Sequence, residues 1–222
     1  MSDSLTSLWT KLSEFVTTDM QWKCTAHDIS HIERVVQYAM RISEEEWGGD
    51  QTVILIWARL HESLDDKFFD TIWLNERKQT IEKMLEDWWI TPEQCVASMY
   101  IIENVWFRKS LSRDPDAQLP VEFMVVEDTD RLEAIGAMTI ARSFAYGWRK
   151  GMEIYNPDVK PLTPEQRVQN PTAHTTIINH FYEKLLHLKD LMHTNTWKRL
   201  AQQRHEFMKQ FLDQFYREVR GE

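Results

Sequence analysis

The stretch DQTVILIWARLHE, residues 50–62, decides the fold. Asp50 stands where a helix N-cap belongs, and Val53, Ile54, Ile56, Trp57 and Leu60 follow as a strongly apolar run. A helix with that little polar surface is largely buried. It ends on the ionisable residues His61 and Glu62, so His61 directly follows the buried run. Upstream, Ile32, Val35, Val36, Ala39, Met40 and Ile42 keep a 3.6-residue period, and Gly48-Gly49 supplies the stop. Leu5, Leu8, Trp9, Leu12 and Phe15 open the chain with another amphipathic helix.

Downstream, Ile72 to Trp89 and Thr91 to Val105 repeat the helical pattern, the second with Thr91-Pro92 as cap and first residue. Val121 to Tyr146 is apolar and rich in Ala. Trp148 to Thr172 differs, with four Pro and little periodicity; loops of that length are often lids or disordered. Two amphipathic segments, Thr175 to Met192 and Thr196 to Arg217, close the sequence. Only six Gly and seven Pro in 222 residues argue against an all-β chain, which needs frequent turns. The expectation is all-α: a single compact helical domain over 1–222. Its core covers about 20–147, a Pro-containing loop about 148–172, and two C-terminal helices about 175–219.

Composition excludes several function classes. A net charge of −9 gives no bulk attraction for nucleic acid, although a metal and a few local bases can still hold an anion. Cys24 and Cys95 are too few for a disulfide framework and form no CxxC pair. The start MSDSLTSLWT lacks the basic and apolar regions of a secretory signal, and no stretch approaches the ~18 apolar residues of a membrane span. A cytoplasmic protein with no membrane partner is expected.

Three segments join acids and histidines to apolar helices: His27-Asp28-Ile29-Ser30-His31, then His61-Glu62-Ser63-Leu64-Asp65-Asp66-Lys67, then Glu127-Asp128-Thr129-Asp130-Arg131. Each has an ordinary reading as a helix cap, a solvated acid pair or a salt bridge. A polar group driven into a core nevertheless needs a partner, and a metal shared by His61 and Asp130, each of which follows or flanks an apolar run, supplies one. Imidazole with carboxylate suits a divalent ion such as manganese, iron or zinc.

The motifs HDISHIERV, RLHESLDDKF and VVEDTDRLEAIGAMTIARSFAYG, in that order, resemble the HD-domain metal-dependent phosphohydrolase superfamily. The tail TTIINHFYEKLLHLKDLMHTNTWKRLAQQRHEFMKQFLDQF also resembles its bacterial nucleotide pyrophosphohydrolase branch. The resemblance runs from about His27 to the last helix. It implies an all-α fold with one divalent ion held by His31, His61 and Asp130, manganese favoured and iron, zinc, nickel or magnesium as alternatives. The family's signature aspartate falls on Glu62, the main departure. Glutamate keeps the charge but adds a methylene. Altered ligation, weak binding and loss of that ligand all stay open.

The resemblance further assigns proton transfer to Asp65, with Asp66 beside it, and a phosphate contact to Lys67, which competes with a simple charge pairing to either aspartate. His27 and Asp28 would orient substrate or the metal's ligands, or form a helix N-cap pair. Arg34, Arg131, Arg142 and Lys109 are further candidates for phosphate contact; the three arginines also read as structural salt bridges. The implied activity is hydrolysis of a small-molecule nucleotide, a nucleoside triphosphate giving monophosphate and pyrophosphate. The alternative is a catalytically weakened nucleotide-binding or sensor protein. No nucleic-acid partner is expected, and a homodimer is compatible with the sequence.

Overall fold

A computed structural model describes residues 2–19, 29–64, 71–114 and 116–222, and among them the regular structure is helix with no strand. Two compact units form, Met1–Val126 and Glu127–Glu222.

The first unit is built round the buried segment. α1 (Asp3–Asp19) and α2 (Ile29–Ile42) both pack on α3 (Gln51–Leu60), whose residues Val53 to Leu60 are all buried. α3 starts where its cap predicts. Asp50 Oδ1 accepts from the backbone N–H of Thr52 at 2.8 Å, and its Oδ2 accepts from Gln94 Nε2 at 2.8 Å. Asp50 N–H in turn donates to Glu122 Oε1 at 2.7 Å. Between α2 and α3 the chain makes a π-helical turn, Ser43–Trp47, and reverses through Gly48 and Gly49 at φ 71° and 89°. Positive φ is open to glycine at no steric cost. At Gly49 a Cβ would also stand 3.2 Å from Glu122 Oε1.

A 3₁₀ turn, His61–Leu64, continues α3. α4 (Thr71–Asp87) and α5 (Pro92–Asn104) follow, α5 opening with the expected Thr91 cap as a reciprocal capping box with Gln94. The short α6 (Phe107–Ser110) comes next. α7 (Val121–Glu133) begins in this unit and continues in the second.

In the second unit α8 (Ala137–Arg149) and α10 (Ile177–Glu183) pack together, and α8 also packs on α11 (Asn195–Val219). Two expectations change here. The Pro-containing excursion holds a short helix, α9 (Pro164–Gln169), with its own Thr163–Gln166 capping box. It is tied down rather than loose. Buried Glu183 accepts from Arg167 Nε and Nη2 at 2.9 Å each, from Thr175 Oγ1 at 3.0 Å and from Leu162 N–H at 3.2 Å. Tyr155 sets its ring edge-on to Phe215 and Tyr216. The expected helix Thr175 to Met192 is split: α10 stops at Glu183 and a 3₁₀ helix, Leu185–Leu191, takes over. Leu185, Leu188 and Leu191 recur every third residue, a repeat that matches three residues per turn and buries Leu185 and Leu188 together.

Two outcomes test this packing. A Cβ at Gly147 would lie 2.4 Å from Ile177 Cγ1 and Cδ1. Gly147→Ala therefore lowers stability by about 1–3 kcal/mol through overpacking, despite a helix-propensity gain of about 1 kcal/mol. In an Ile177→Ala background the same change raises stability, read as the midpoint of urea unfolding. His205 on α11 is buried, its Nδ1 meets no hydrogen-bond partner, and burial followed by Lys189 pushes its pKa below 6.5. The unfolded chain then binds the extra proton first, so stability falls as pH drops from 7 through 6.5 toward the folded value. His205→Phe flattens that decline in Tm.

Candidate metal centre

α2 is strongly amphipathic, and the face bearing Ile32, Val35 and Val36 carries His31 into the interior at 3 % exposure. The burial of α3 does the same for His61 and Glu62, at 1 % and 4 %. The seven apolar residues between Val53 and Leu60 explain how this is tolerated. At about 1.5–3 kcal/mol for each larger side chain, their burial outweighs the several kcal/mol needed to desolvate one carboxylate.

The three side chains converge. His61 Nε2 lies 3.3 Å from His31 Nε2, and Glu62 Oε1 lies 3.6 Å from each of them. The extra methylene of Glu62 thus brings its oxygen to the imidazoles rather than past them. His61 Nδ1 is 3.0 Å from Ala58 O, which only accepts, so Nδ1 carries the proton and Nε2 presents a lone pair to the cluster. The indole of Trp57 stacks on the same ring at 5.0 Å, fixing its plane.

The donor set suits a divalent cation. Bonds of about 2.0–2.2 Å to imidazole or carboxylate require every ligand pair to lie within about 4.4 Å, and all three pairs do. A histidine that gives its other N–H to a backbone carbonyl is the usual arrangement of a metal ligand. Among the described residues this is a trio of buried donor atoms all within 4.8 Å of one another.

The other residues predicted from sequence fare differently. His27, Asp28, Asp65, Asp66 and Lys67 lie outside the described residues. Arg34, half-buried on α2, donates to Ser30 Oγ at 3.1 Å. Lys109 Nζ donates to the Glu103 carbonyl at 2.5 Å and to Asn104 Oδ1 at 3.4 Å, closing the C-terminal end of α5. Asp130 belongs to the second unit, partly exposed on α7.

Its neighbours in the acid motif form a buried framework. Asp128 accepts from the N–H groups of His193 and Thr194 at 2.7 and 2.8 Å and from Thr194 Oγ1 at 2.9 Å, fastening the start of α11. Burial still pushes its carboxyl above the ordinary aspartate value. Glu127 pairs with Arg131 at 2.9 Å and with His193 at 2.8 Å, and Arg131 donates to the Leu191 carbonyl. Arg131 is a structural cation.

Sequence reasoning passed over Glu33 and Arg59. Arg59 donates to both Glu33 oxygens, at 2.6 and 3.2 Å, from within α3. An arginine inside an otherwise apolar run was the available signal.

No known family profile matches the chain. It is 33 % identical over 199 residues to YpgQ of Bacillus subtilis, which covers 89 % of this chain and 86 % of that one. A Lactobacillus plantarum crystal structure covers 100 % of both chains with 32 % identity and a TM-score of 0.85. A Bacillus thuringiensis HD-superfamily hydrolase covers 98 % of this chain and 99 % of its own, with 33 % identity and a TM-score of 0.73. The chain belongs to the HD hydrolase superfamily. YpgQ has also been crystallised in complex with ADP, and that structure matches this HD-superfamily protein at a TM-score of 0.71 and 31 % identity over 95 % of the chain and 97 % of YpgQ. No helix among the described residues is long and apolar enough to cross a membrane.

A ligand that binds only the folded state stabilises it by about 2.7 kcal/mol at a hundredfold excess over Kd. A saturating divalent ion, added as manganese, is therefore expected to raise the wild-type Tm by about 5–10 °C. His31→Ala and His61→Ala remove that rise in differential scanning fluorimetry, and EDTA reverses it in the wild type.

Proposed function

We propose that this HD-superfamily chain is a divalent-metal-dependent phosphohydrolase that converts a nucleoside triphosphate into monophosphate and pyrophosphate. The convergence of His31 Nε2, His61 Nε2 and Glu62 Oε1 carries the reading. The nucleotide class is supported by YpgQ, a relative crystallised with ADP.

His31, His61 and Glu62 hold the ion, manganese in preference, and the family resemblance adds Asp130 as a further ligand. When bound, such an ion polarises a phosphoryl oxygen and acidifies water. The chain's own groups do the rest. Ala58 O and the Trp57 ring keep His61 in one tautomer and one plane, so its lone pair needs no reorientation during turnover. Glu62 contributes one negative charge against the ion. Asp65, four residues after His61 in sequence, takes the proton from the attacking water. The water oxygen bonds to the α-phosphorus and the α–β bridging bond breaks, so pyrophosphate leaves. Lys67 offsets the charge of the departing group.

Glu62 in the family's aspartate position favours a second reading, a binder that turns nucleotide over poorly. Substrate screening with added manganese separates the two. A panel of nucleoside mono-, di- and triphosphates, with products identified by mass, is expected to give monophosphate and pyrophosphate from a triphosphate. Orthophosphate alone would defeat the pyrophosphohydrolase form. Absence of both metal binding and activity, unrestored by Glu62→Asp, would favour the binding role.

A further inference from the structure

Arg59 is costly where it stands. Its side chain is 1 % exposed, in a helix where every residue from Val53 to Leu60 is buried, and its Nε meets no hydrogen-bond partner. Even a fully buried ion pair is often replaced by apolar side chains at no cost, and here only the arginine side is buried, so folding alone does not call for an arginine. What an ion pair adds is direction. The guanidinium grips Glu33 with both terminal nitrogens, at 2.6 and 3.2 Å, and the Trp9 ring covers it at 4.2 Å from the centroid. Three elements, α1, α2 and α3, thereby fix one planar group.

The placement of this clamp relative to the metal trio gives it a use. Glu33 follows His31 by two positions on α2, and Arg59 precedes His61 by two positions at the end of α3. Two positions are about 200° of helical rotation, so the residue between each pair marks the middle of the contact face. Those residues are Ile32 and Leu60, both fully buried. The Glu33–Arg59 and His31–His61 contacts are therefore two struts between the same two helices, one on each side of an apolar line. Rolling α2 on α3 would shorten one strut and stretch the other. Apolar packing is non-directional and resists such a roll weakly, whereas a two-pronged arginine–carboxylate contact has a fixed geometry.

Resting on the proposed metal centre, we infer that Glu33 and Arg59 are a positioning pair that sets the His31–His61 separation and through it the affinity and geometry of the bound ion. Neither residue touches the ion. Partners that orient metal ligands change metal affinity by about 10–100-fold when removed.

The test uses the full chain, manganese titrated by calorimetry, and the visible spectrum of the cobalt-substituted protein as a reporter of ligand geometry. All measurements are made well below each variant's Tm. Glu33→Gln and Arg59→Met are expected to raise the manganese Kd about 10–100-fold and to shift the cobalt bands. Arg59→Lys, which keeps the charge but not the fork, is expected to fall between wild type and Arg59→Met. A purely structural pair would lower Tm and leave both readouts at their wild-type values, which would overturn the inference. If Arg59→Met does not fold, Glu33→Gln decides, because Glu33 is 39 % exposed and the amide keeps its shape. A wild-type protein that binds no manganese, indistinguishable from His61→Ala, would overturn the metal centre and this inference together; wild-type binding with unaltered variants overturns the inference alone.

Discussion

Burial of α3 is the constraint on which the first unit and its site depend. The apolar residues from Val53 to Leu60 cannot be covered unless the helix passes through the middle of the unit, with α1, α2 and α5 laid against it. His61 and Glu62 come next in the chain and are carried in at the same depth. Once there, an imidazole lone pair and a carboxylate must find positive charge or proton donors nearby. His31 on α2 adds a second imidazole, and together the three side chains form a donor set suited to one divalent ion. The link from hydrophobic pattern to site is direct: the residues that make α3 buried are the residues that carry its polar end into the interior.

Orientation is handled separately from burial. His61 is held by a backbone carbonyl at Nδ1 and by an indole against its face, both from the preceding turn of its own helix. The relation of α2 to α3 is held by a different kind of contact, the Glu33–Arg59 pair beside the apolar line. In the second unit the same division appears. Apolar packing covers Phe181 and Trp197, while Glu183 and Asp128 use their oxygens to fix segments that have little periodicity of their own.

How much of this was legible in the sequence follows from the range of each interaction. Asp50 and Thr91 marked the starts of α3 and α5 because a cap is satisfied within three residues. The last helix was legible from its amphipathic period and appears as Asn195–Val219. The order of the Pro-containing excursion was not, because Glu183 fastens it from 21 residues beyond Leu162. The break after Glu183 was hidden because Leu residues every third position also fit a helical face. In the site, His31 and His61 stood out by motif. The reach of Glu62 depends on its side-chain conformation, and the partner of Arg59 lies 26 residues away, so neither was readable. Within Glu127 to Arg131, sequence could not separate ligand from scaffold, because Asp128 and Glu127 find their partners about 65 residues later.

One ion held by His31, His61 and Glu62 is the proposed centre of the site. Crystals grown with manganese, and an anomalous difference map collected at the manganese edge, test it most directly. A single strong peak within coordination distance of His31 Nε2, His61 Nε2 and a Glu62 carboxylate oxygen is the predicted result. A peak bonded to other residues and not to these three side chains, or no peak beside them at saturating manganese, would contradict it.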